Sequence, residues 1–141
     1  MSFLKIGLMA LFFGSGATLT PHPQTLGPGV TNLRAQKSIE PVSDSVQVFI
    51  SLGIPSEDQK TAVSYGKFGL VDVGNMRVEL CSGQERCEPM KYVGAYLAPS
   101  DYGVTFALTD PAAKGVKFTG VRIDTHKAVH SATVRWQNYL K

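Results

Sequence analysis

Residues 76–97 read MRVELCSGQERCEPMKYVGAYL, and no other stretch limits the fold as tightly. Met76, Val78 and Leu80 alternate with Arg77, Glu79 and Cys81. Successive side chains of a strand point to opposite faces, so a period of two gives one apolar and one polar face. After a polar loop of Ser82, Gly83, Gln84, Glu85 and Arg86, a second run sets Val93, Ala95 and Leu97 against Tyr92, Gly94 and Tyr96. The expected unit is a hairpin whose loop is flanked by Cys81 and Cys87. A bond between them would close a short ring, worth about 2 kcal/mol in the chain-entropy treatment.

Whether that bond forms depends on the compartment, and the N-terminus bears on this. MSFLKIGLMALFFGSGA places Lys5 ahead of an apolar run from Ile6 to Phe13, then small residues from Gly14 to Ala17. That is the layout of a secretory signal peptide over residues 1–17, with cleavage expected after Ala17. The run is shorter than the roughly 20 apolar residues that span a bilayer. No later stretch is as apolar, so the mature chain is expected not to span a membrane. Localisation is expected to be periplasmic or secreted. In an oxidising compartment Cys81 and Cys87 pair.

Residues 18–44 carry Pro21, Pro23, Pro28 and Pro41. Proline removes a backbone donor and fixes φ, so a flexible Pro-rich tail is expected, docking one edge near residues 30–39. Residues 45–141 are expected to form a single domain of about seven short strands: 45–53, 62–73, 76–81, 92–97, 102–109, 116–124 and 132–139. A break is expected at Gly120, where Val116 and Phe118 fall out of phase with Val121 and Ile123. Strands at this spacing, separated by turn residues, predict an all-β fold, a single antiparallel β-sandwich. Strand number and length favour an immunoglobulin-like arrangement, although the cysteine spacing and the position of Trp136 do not follow the immunoglobulin pattern. The core is expected from Trp136, Phe49, Phe106, Phe118 and the aliphatic faces.

Composition narrows the function classes. Charged residues make up only 18% of the chain, and its formal charge of +3 is spread without a Lys/Arg run, so no nucleic-acid stripe is expected. No phosphate-cradling Gly-rich loop, nucleophile elbow or carboxylate pair is present. Asp124, His126 and His130 could share a hairpin, but they lack the spacing of a metal site, so no metal or other cofactor is expected. The chain is read as no enzyme, with a hydrolase using His126 or His130 as a remote alternative.

Two binding surfaces remain. A tethered loop presenting Gln84, Glu85 and Arg86 would lose little ordering entropy on capturing a partner. Alternatively, Tyr92 and Tyr96 would flank bare Gly94 on one strand face, joined by Tyr102, as a slot for a sugar ring. The expected function is a protein-binding module in the cell envelope or outside the cell, acting as an accessory subunit, inhibitor or adhesion module. Its partner would be an envelope or extracellular protein. A carbohydrate-binding module is the alternative.

Overall fold

The computed structural model describes residues 16–41, 45–53, 57, 76–83, 86–98, 101–110 and 115–138. Residues 1–15 of the expected signal peptide, the expected strand at 62–73, and Gln84 and Glu85 of the tethered loop lie outside them. Among the described residues ten strands follow in order: β1 (Gly16–Thr18), β2 (Gln24–Leu26), β3 (Gly29–Ile39), β4 (Ser45–Ser51), β5 (Met76–Ser82), β6 (Arg86–Pro89), β7 (Lys91–Ala98), β8 (Asp101–Thr109), β9 (Phe118–Thr125) and β10 (Val129–Asn138). They form two antiparallel sheets. One runs β1-β10-β4-β8-β7, with β2 also on β10, and the other runs β3-β9-β5-β6.

The sheets face each other over one apolar core, which makes the fold an all-β sandwich. Val46, Val48 and Ile50 of β4 are fully buried, as are Leu80 of β5 and Ile123 of β9. Trp136, Phe106 and Phe118 join them. Phe49, expected in the core, is instead half-buried on the outer face of the first sheet. Its neighbours Val48 and Ile50 take the inward positions, and strand alternation then turns Phe49 outward. There the Arg135 guanidinium lies 4.6 Å from its ring centroid. Among the described residues no helix is long and apolar enough to cross a membrane.

Two expectations about chain path are corrected. First, the stretch expected as a flexible tail is largely strand. Leu19, Leu26, Leu33 and Ile39 are buried in the core, and β3 pairs with β9. The prolines mark strand boundaries. Pro21 and Pro23 sit in an exposed loop between β1 and β2, Pro28 lies between β2 and β3, and Pro41 follows β3. A residue without an N–H is tolerated at such junctions. On either side of that loop the chain lies along β10. The Leu19 N–H donates to Val134 O at 2.7 Å, and the Val134 N–H donates to Thr20 Oγ1 at 3.0 Å.

Second, the partner of β5 across the cysteine loop is β6, not the run from Tyr92 to Leu97. Cys81 stands directly opposite Cys87 and Ser82 opposite Arg86. β6 ends at Pro89, and the chain then crosses between sheets. Buried Met90 donates its N–H to Val78 O at 2.8 Å. β7 follows in the other sheet, paired with β8.

Candidate functional site

The outer face of the four-stranded sheet carries an open depression. One side of it is the β5–β6 hairpin, closed by the Cys81–Cys87 disulfide. Gly83 turns the loop with φ at +76°, a conformation that favours glycine. Its N–H donates to Thr119 Oγ1 at 3.1 Å, and the Thr119 hydroxyl donates to Cys81 O at 3.4 Å. The start of the loop is thus tied to β9 as well as to its own hairpin.

Across β9 from the hairpin runs β3. The β3–β9 register slips between Arg34 and Ile39, opposite the step from Gly120 to Phe118, where sequence phase predicted a break. Gly120 lets the two backbones approach closely there. A Cβ on it would lie 2.4 Å from Leu33 O. Between β3, with Val30, Asn32 and Arg34, and the hairpin, with Cys81, Gly83 and Cys87, lies an open depression of about 720 Å³. Thr119, Gly120 and Arg122 of β9 line its centre.

The charges there are unevenly matched. Arg122 donates from Nε at 3.0 Å and from Nη2 at 2.8 Å to Glu79 Oε1 on β5. Arg86, at the hairpin end, stands 3.7 Å from Glu88 and is largely exposed. Arg34 has no acidic partner among the described residues. Val30 projects into solvent at 56% exposure and lines one side of the depression.

The tyrosines do not form the expected slot. The β7–β8 ladder slips between Tyr92 and Gly94, so one extra residue, Val93, bulges out at 58% exposure. That slip reverses which face the following residues occupy. Tyr92 stands opposite Phe106 and packs edge-on against it at 5.6 Å. Tyr96 stands opposite Gly103 on the outer face, edge-on to Phe49 at 6.2 Å. Tyr102 is buried at 4% exposure on the core side, where burial raises its phenol pKa. The three rings therefore share no surface.

Tyr96 Oη is buried without a well-formed hydrogen bond, because its neighbour Ser51 donates to Asp101 instead. Burial, with the Asp101 carboxylate adding to it, raises the Tyr96 phenol above its ordinary value. A buried hydroxyl whose contacts to Ser51 and Asp101 are poorly formed does little to offset its desolvation. Tyr96→Phe is therefore expected to be neutral or stabilising by up to about 1 kcal/mol. Thermal denaturation reads this directly, and a clear loss of stability would show that the hydroxyl does bond Ser51 or Asp101.

The remaining candidates are dispersed. Asp124 lies on β9 opposite Arg77, and His126 is exposed in the turn that follows. His130 is exposed on β10, in the other sheet, 3.3 Å from Thr25 Oγ1. Among the described residues no group of three His, Cys, Asp or Glu could hold a metal ion. Reading the sequence missed Val30, Asn32 and Arg34, which were placed in the tail. The signal available was their period of two, continued inward by buried Leu33. No protein-family model, curated protein or solved structure matches this chain.

Proposed function

We propose that this chain is an exported protein-binding module and that it meets its partner through the outer face of the four-stranded sheet. The observation that carries the reading is the depression between β3 and the disulfide-tethered hairpin. A surface held by a covalent staple and by the Gly83–Thr119 hydrogen bond has little ordering entropy left to lose on association. The apolar leader and the oxidised cysteine pair are compatible with export. Tyr92, Tyr96 and Tyr102 do not assemble into one slot for a sugar ring, so the protein-binding reading is preferred over carbohydrate binding. It is also preferred over hydrolysis, since Asp124, His126 and His130 do not converge.

Cross-linking followed by mass spectrometry tests it, with the full chain as bait in an extract of its own cell envelope. One dominant protein, linked through Lys37 of β3 or Lys117 just before β9, is the expected result. Links confined to Lys91 on β7 would move the interface to the other sheet. Arg86→Ala is expected to weaken capture while leaving the melting temperature almost unchanged. The exposed Arg86–Glu88 pair contributes only about 0–1 kcal/mol to folding. Unchanged capture would remove Arg86 from the interface.

A further inference from the structure

We infer that the depression receives an extended peptide segment of the partner, with an acidic side chain set against Arg34 and an aliphatic one against Val30. The inference rests on the protein-binding reading and names the chemistry of what is bound. Val30, Asn32 and Arg34 point to the same side of β3, as residues two apart in a strand do. Glu79 already engages Arg122 through two hydrogen bonds, whereas the neighbouring Arg34 guanidinium has no carboxylate among the described residues. A ligand carboxylate supplies one, through charge-assisted bonds stronger than neutral ones.

Beside that cation the lining holds Arg122, already engaged by Glu79, and otherwise apolar or neutral groups such as Val30, Asn32, Thr119 and the disulfide. Among the described residues no aromatic ring lines the depression, which favours an aliphatic side chain over a sugar ring as its second occupant. Geometry then sets a spacing. Four residues of strand separate Val30 from Arg34, a distance of about 13 Å along β3. An extended peptide covers the same distance in four residues, so its acidic and aliphatic side chains stand four positions apart. Asn32, midway between, can bond the peptide backbone with its carboxamide.

A displayed library of random nonapeptides, panned against the full chain, tests this. Enriched peptides are expected to carry Asp or Glu four positions from Val, Ile or Leu. The dissociation constant of one such labelled peptide is expected to rise roughly tenfold or more in Arg34→Glu, since bonds to charged groups are the costly ones to lose. Binding should also weaken as salt is raised. Lys91→Glu, on the other sheet, should leave it unchanged. Peptides enriched without an acidic residue, or indifferent to Arg34→Glu, would overturn the inference while leaving the binding-module reading in place. Arg34-dependent retention of an acidic polysaccharide, with no peptide enriched, would overturn the peptide class. No enrichment together with no cross-linked partner would sink both.

Discussion

Replacing Gly103 by alanine is expected to destabilise the domain by about 3 kcal/mol, at or beyond the upper end of the usual overpacking cost. The residue sits in β8, between β4 and β7, opposite Ser51 on one side and Tyr96 on the other. A Cβ at Gly103 would lie 2.0 Å from Ile50 O, 2.9 Å from Ile50 C and 2.8 Å from Tyr96 Oη. Tyr96 could move aside, but Ile50 O and C are backbone of a neighbouring strand whose side chain is fully buried. Relief requires β4 and β8 to part, which disturbs the core beneath them. At this chain length the loss corresponds to a melting temperature lower by about 10 °C or more. Gly94→Ala makes the matched control, because nothing lies within 4 Å of its added Cβ. That change is expected to be neutral or to stabilise by up to about 1 kcal/mol. Equal melting temperatures for the two variants would refute the close packing of β4 on β8.

The same strands show where sequence periodicity carries information and where it stops. In β4 each side chain faces either core or solvent, so the alternation of Val46, Val48 and Ile50 translates directly into burial. Phe49 was misplaced because its aromatic character was given more weight than its phase. In β7 the extra residue at Val93 reverses the phase between Tyr92 and Tyr96. The bare Gly94 is the only local hint of that slip. Proline was read as a breaker throughout residues 18–44, although Pro21, Pro23, Pro28 and Pro41 all fall between strands rather than within them. Pro89 differs in being the last residue of β6, and the chain crosses at Met90 directly after it. The depression was not legible at all. It brings together residues of 30–34 and 119–122 with Cys81, Gly83 and Cys87, and the pairing of β3 and β5 with β9 makes them neighbours.

Removing the disulfide by Cys81→Ala with Cys87→Ala is expected to cost about 2 kcal/mol and to weaken partner capture more than that figure implies. The cysteines are six apart in sequence and directly opposed in the hairpin, so the ring is short and the chain-entropy contribution correspondingly modest. The melting temperature should fall by about 7 °C. The fold should persist, because Met76, Val78 and Leu80 remain buried and β5 keeps its ladder with β9. The local effect differs. Among the described residues β6 is an edge strand of four residues with β5 as its one sheet neighbour. Without the staple its register depends on four residue pairs and a Gly83–Thr119 bond at the surface. Fraying there releases Arg86 and opens one wall of the depression. Binding must then re-order those groups, at about 0.5–1.5 kcal/mol for each side chain immobilised. Reducing the wild-type protein with a dithiol should reproduce both effects. A double variant that melts lower yet captures its partner as well as the wild type would make the disulfide a staple of the fold alone, and would move the interface away from the hairpin.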